Sequence, residues 1–302
     1  MTGRGTLVLT TPWLHVRPHH GEGVVWDGRR EALLFVDVTP GRVWEFQPGS
    51  GRLSSFDVPG TAGAVHPVAD ERSLVVADSE GVVLCRDGRV VERLAAPLHG
   101  QPDRRMNDAN VDPAGRYLAG SLALDQRPGG GRLFSLGEDG ELRTVVGDAT
   151  ISNGLDWSPD GRRCYYVDSP LHRVDVFDYD VTTGALSGRR CFADVAGVPG
   201  MPDGLTVDAD GGVWVAFFGG GRVCRFDPAG RPDLTVELPV DLVTSVCFGG
   251  PDLADLFIST STEGMPAAAV ADVPAAGGVF TARPGVRGRP ATPFRPAGVP
   301  AG

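Results

Sequence analysis

The sequence predicts an all-β fold, a six-bladed β-propeller with four antiparallel strands per blade. Three observations predict it. Gly 43 and Pro 25 in 302 residues imply many tight turns, without a collagen-like period. A short apolar strand recurs six times, each after a turn rich in Asp, Gly or Pro. No amphipathic helix of useful length competes with this pattern.

The six copies are WDGRREALLFVD, VADERSLVVAD, VDPAGRYLAGS, WSPDGRRCYYVD, VDADGGVWVAF and GGPDLADLFIST. Their centres are Phe35, Val75, Leu118, Tyr166, Val215 and Phe257, at steps of 40, 43, 48, 49 and 42 residues. Each of the first five continues into a second hairpin arm, such as GRVWEFQPGSGRL or GRVCRFDPAGRPDLTVEL. GGVFTARPGVRG follows the sixth. A ring of such units has no free sheet edge. The length alone allows two domains, but the repeat count makes residues 1–302 one. A strand near Thr6–Thr10 is expected to complete the last blade. Order is expected to about Gly288, with the Pro/Gly/Arg-rich tail beyond it partly disordered.

The charge balance is 28 basic against 38 acidic residues, a formal net charge of −10. That excludes general binding to phosphate backbones and a polybasic membrane patch. Every basic residue is Arg, so no lysine amine can form a Schiff base. The five cysteines contain no CxxC and read as small core residues. The N-terminus lacks a secretory apolar stretch, and no window reaches the roughly 18 apolar residues of a membrane span. A soluble, cytoplasmic protein is expected.

Four segments place polar residues at equivalent points of the repeat, just upstream of each blade's first strand. They are Gly21-Glu22-Gly23, Arg105-Met106-Asn107-Asp108, the stretch from Ile151 through Asn153 to Asp156, and Met201-Pro202-Asp203-Gly204-Leu205. Asn-Gly and Asp-Gly are ordinary turn dipeptides, but four in phase point a set of carboxylates and amides at one axis. Such hard oxygens suit Ca²⁺, Mg²⁺ or Mn²⁺. His19 and His20 read as an exposed pair, and His66, His99 and His172 as isolated. Asp108, Asp112, Asp156 and Asp168 read as blade hydrogen-bonding residues. Val207–Gly211 lacks the downstream Glu of a calcium loop and reads as a hairpin turn. No GxSxG is present, so a serine esterase mechanism has no support.

These stretches carry a family resemblance, above all ISNGLDWSPDGRRCYYVDSPLHRVDVFDYD and MPDGLTVDADGGVWVAFFGGGRVCRFDP, with RMNDANVDPAGRYLAGSL beside them. The chain resembles the regucalcin (senescence marker protein), gluconolactonase and luciferin-regenerating-enzyme-like family from about Gly21 to about Gly288. The resemblance implies a six-bladed propeller holding one divalent ion, of Ca, Zn, Mn or Mg, on Glu22, Asn153 and Asp203. It implies hydrolysis of a small-molecule sugar lactone, with substrate contacts at Arg105, Asn107 and Asp125, and Asp203 suits the role of general base. Three features depart from the family pattern. Asp125 stands where Glu is usual, Ala109 where Gly is common, and the loop 125–131 is shorter than the family's lid. A different ester or biosynthetic intermediate, and a non-enzymatic calcium-binding role, are the alternatives.

Overall fold

A computed structural model describes residues 6–14 and 16–296. Six antiparallel sheets follow one another along the chain, each in simple up-and-down order. The blades begin with the strands Gly21–Asp27, Ala62–Pro67, Arg104–Val111, Ser152–Trp157, Met201–Val207 and Val243–Gly249. These six first strands pack against one another around the axis, so the fold is a six-bladed propeller. The repeat centres Phe35 to Phe257 all fall on the second strands. The four polar segments therefore form parts of the innermost strands rather than preceding them.

The sequence pattern explains the packing. Along a second strand, alternate residues face opposite neighbours. In blade one, Leu33 and Phe35 join a cluster with Cys247 and Phe257 of blade six. Leu34 and Val36 join Val65 and Val76 of blade two. Each of the six blade interfaces has its own apolar cluster of this kind. Cys85, Cys164, Cys224 and Cys247 are buried in these clusters as expected, whereas Cys191 is exposed. Trp26 and Trp157 lie in the interfaces of their inner strands, and Trp214 packs edge-on against Phe248 of blade six.

Ring closure differs from the expectation. The strand Thr11–Leu14 pairs antiparallel with Val279–Ala282 and completes blade six. Trp13 packs against Phe257 of that blade and Phe46 of blade one, with ring centroids 4.5 and 5.0 Å away. Thr6–Leu9 instead adds a fifth, parallel strand to the outer edge of blade five, beside Pro232–Glu237. The single α-helix among the described residues, Ala267–Asp272, is one and a half turns long. No helix of these residues is long and apolar enough to cross a membrane.

The tail beyond Gly288 is also a correction. Residues 287–296 form a strap across the ring face opposite the polar ends of the inner strands. Arg287 O accepts from Ala209 N, and Gly288 N donates to Leu253 O, at 2.9 and 2.8 Å. Arg289 donates through Nη2 to Trp157 O (2.6 Å) and Asp156 Oδ1 (3.1 Å). Phe294 is fully buried against Tyr117 and exchanges backbone hydrogen bonds with Pro67 and Ala69. Its composition suggested disorder, but these side chains find partners on blades that are distant in sequence. Residues 297–302 lie outside the described part.

Arg289→Ala is expected to destabilise the fold by about 1–3 kcal/mol, the size of hydrogen bonds to a charged group. Denaturant unfolding measures it, and the loss vanishes if the strap is not docked.

Candidate active site

All six inner strands carry a register irregularity at the same height. It falls between Glu22 and Val25, Ala62 and Ala64, Met106 and Ala109, Ser152 and Leu155, Pro202 and Leu205, and Val243 and Val246. A bulge leaves residues unpaired and re-aims their side chains. Glu22 borders its bulge, while Asn107, Asp108, Asn153 and Asp203 lie inside theirs. The glycine after Asn153 and after Asp203 follows from crowding at the axis. A Cβ on Gly154 would lie 2.6 Å from Asp203 O, and one on Gly204 2.7 Å from Ser245 Oγ. Ala109 has no such constraint, since it pairs with Ala119 in ordinary register. The absence of glycine there is accommodated.

Two aspartates set the heights of the blade-one and blade-four strands. Asp37, ending the second strand of blade one, accepts from His19 N and His20 N, both at 3.0 Å. Asp168 does the same in blade four for Thr150 N (3.0 Å) and Ile151 N (2.9 Å). Glu22 and Asn153 each follow two residues later. Asp168 and Asp112 thus behave as the expected blade hydrogen-bonding residues. Asp112 accepts from Arg116 and from the Tyr179 hydroxyl. Asp156 holds Val207 N at 2.7 Å, and Asp208 holds its hairpin turn through Asp210 N and Gly212 N.

The axis is a dense polar cluster. Glu22, Asn107, Asp108, Asn153 and Asp203 are all buried. Arg105 Nη1 donates to Asn107 Oδ1 at 2.6 Å and to Met106 O at 2.9 Å. Asn107 Nδ2 donates to Ser152 O (2.9 Å) and Asn153 Oδ1 (3.2 Å). Asn153 Nδ2 donates to Ser169 Oγ at 2.9 Å, which turns Oδ1 of that amide toward the cluster. One Glu22 oxygen accepts from Gly23 N and the other is left to the channel.

Burial pushes the Glu22 carboxyl well above the ordinary carboxylate range, and the charges of Asp203 and Asp108 push it further. Burial and Asp108 hold Asp203 well above that range too, while Arg105 and the Asn153 amide draw it back. Burial raises Asp108 to about 7. Arg105 is the guanidinium whose field acts on both Glu22 and Asp203. Asp108, in one of the four in-phase segments, thus belongs to the cluster and is more than the blade hydrogen-bonding residue expected of it.

The other candidates separate. Asp125 is exposed and ion-paired to Arg127 at 2.8 Å, and Arg127 also holds Asp103 at 2.6 Å. The structure does not bring Asp125 to the cluster. His20 is buried, correcting the exposed pair, and its Nδ1 meets Glu263 Oε2 at 2.8 Å and Ser261 Oγ at 3.0 Å. Glu263, from blade six, acts electrostatically on Arg105 and Asp203. No repeat signal marks it. His19 is exposed beside Thr39. His66 is buried in the channel wall, where burial lowers its pKa to about 4.

Among the described residues no group of three or more His, Cys, Asp or Glu side chains is arranged for a metal ion. The candidate set takes its third oxygen from an amide. Two buried carboxylates that repel each other, with an oriented amide oxygen beside them, fit a hard divalent cation. Glu22, Asn153 and Asp203 are the residues that would hold it.

The sign of the pH dependence follows. These carboxyls take up protons more readily folded than unfolded, where carboxylates titrate near 4. Stability without cation is therefore full below about pH 4 and falls as pH rises above it, through about 7 for Asp108. Chelator-treated protein is expected to lose stability over this range, about 2–4 kcal/mol of it from Asp108. Denaturant titrations at several pH values measure it, Asp203→Asn flattens the slope, and an unchanged slope in that variant contradicts the cluster's role.

Residues 20–262 match the family described as the SMP-30/Gluconolactonase/LRE-like region. Regucalcin of Gallus gallus is 36% identical over 281 residues, covering 91% of this chain and 94% of its own. A solved structure of a calcium-binding protein, regucalcin, from Agrobacterium tumefaciens superposes with a TM-score of 0.89 at 26% identity, over 97% of this chain and 98% of that one. A luciferin-regenerating enzyme gives 0.86 at 29%, over 94% and 100%. The chain belongs to the SMP-30/gluconolactonase/LRE-like family.

Proposed function

We propose that this protein is a metal-dependent lactonase acting on a hydroxylated, sugar-type lactone. The observation that carries the reading is the convergence of Glu22, Asn153 and Asp203 beside the Arg105–Asn107 pair. Membership of a family described by gluconolactonase supports it.

Lactone hydrolysis adds water oxygen to the carbonyl carbon, breaks the ring C–O bond and yields a hydroxy acid. A divalent cation at the three oxygens would polarise the carbonyl and offset the carboxylate charge. Asp203, buried beside the reacting carbonyl, accepts the proton of the attacking water and returns it to the departing ring oxygen. Arg105 has Nη1 engaged by Asn107 and Met106, which leaves Nε and Nη2 to donate to substrate oxygens and to developing negative charge. Asn107 fixes Arg105 and Asn153 together, so it positions both. A calcium-binding role without turnover is the second reading, favoured by the name of the Agrobacterium relative.

Protein stripped of metal and reloaded with Mn²⁺, Zn²⁺ or Ca²⁺ is expected to open an aldonolactone in a pH-indicator assay. Asp203→Ala abolishes this, and Arg105→Ala lowers kcat/KM about 10²–10³-fold, the size of losing one oxyanion donor. Cation binding without hydrolysis of any lactone overturns the enzyme reading in favour of the second.

A further inference from the structure

A cavity adjoins the cluster on the same face of the ring. It is a cleft of about 350 Å³ between blades two and three, and Arg105 forms part of its wall. Leu98, Pro102 and Leu124 line it, with Ser79, Gln101 and Arg104 between them.

The polar groups there are already engaged within the protein. Ser79 Oγ donates to Pro59 O at 3.3 Å, and Gln101 Nε2 to Pro97 O at 3.0 Å. Arg104 Nη1 donates to Gly130 O at 2.6 Å, and Glu80 meets His99 Nδ1 at 3.3 Å. Thr61 Oγ1 has no partner but is itself buried beneath the surface. The surface left open to a ligand is mainly apolar, with the half-exposed Glu80 carboxylate at its edge. Leu124 is 57% exposed, and Leu98 is buried and forms the floor.

The loop that follows Leu124 is pinned at the edge of this cleft. Arg127 bonds Asp125 and Asp103 at 2.8 and 2.6 Å, and Gly131 N donates to Ala149 O at 2.7 Å. Asp125, which the sequence offered as a hydroxyl acceptor, is spent on Arg127. Its neighbour Leu124 stands at the cleft instead. A fully hydroxylated ligand would meet Arg105 and Asn107 on one side and hydrocarbon on the other.

We propose that this cleft is a substrate subsite for an apolar group. The preferred substrate is then a lactone whose ring oxygens face Arg105 and whose hydrocarbon substituent lies along Leu98, Pro102 and Leu124. The inference rests on the lactonase reading and specifies its substrate class. Arg105, shared by the cleft wall and the axial cluster, joins the two into one binding surface.

The test is a series of γ-lactones with alkyl chains of zero to six carbons, beside an unsubstituted aldonolactone. With the metal-loaded enzyme, kcat/KM is expected to rise about fourfold per methylene over the first few carbons, the transfer free energy of a buried CH₂. Leu124→Asn removes that rise and leaves the chain-free lactone unaffected, while Leu124→Met keeps the rise. A flat series, or a rise that survives Leu124→Asn, overturns the subsite and leaves the lactonase reading intact. If no lactone is hydrolysed, the lactonase reading fails, and calorimetry with the matching alkyl lactams decides the subsite. Affinity that grows with chain length and drops in Leu124→Asn supports it, and affinity independent of chain length overturns it.

Discussion

Glu22, Asp108 and Asp203 are buried side by side at the axis of the ring, with the half-buried Arg105 as the guanidinium acting on both Glu22 and Asp203. Like charges in a place poor in water repel strongly and lose hydration. Such an arrangement persists only where the backbone cannot relax. Here the six inner strands are each bound to a second strand, and each second strand is packed into two apolar clusters. The stability of the blades holds together a centre that is unfavourable by itself, and that centre is what the proposed cation would complete.

The same constraint explains the local chemistry of the sequence. Strands that converge on an axis crowd each other, so Gly154 and Gly204 stand where a side chain would strike a neighbouring blade. The bulges exist for a related reason: in regular register both faces of an inner strand point into blade interfaces, and the bulge re-aims a side chain at the axis. Asp37 and Asp168 fix the height of the blade-one and blade-four strands through two backbone N–H groups each. The position of Glu22 and Asn153 is thus set two residues upstream, by an aspartate on another strand.

This accounts for what could be read from the chain. The blade count was legible because it depends on local alternation repeated every 40–49 residues. Glu22, Asn153 and Asp203 were legible because they recur in phase and are followed by glycine. Glu263 was not, because it reaches Arg105 and His20 only after ring closure brings blade six against blade one. Asp125 lies outside the cluster because its partner, Arg127, is set by the path of a short loop that composition does not specify. The strap 287–296 was read as disorder from its Pro, Gly and Arg content, yet its order comes from contacts with blades two, three, four, five and six.

Glu22, Asn153 and Asp203 are proposed to form one divalent-cation site at the axis. Anomalous diffraction from crystals of the protein grown with Mn²⁺ tests it directly. The account predicts a single strong peak within roughly 2.0–2.5 Å of an oxygen from each of the three residues, with further positions left for water or substrate. A peak elsewhere, or none at saturating Mn²⁺, would contradict it.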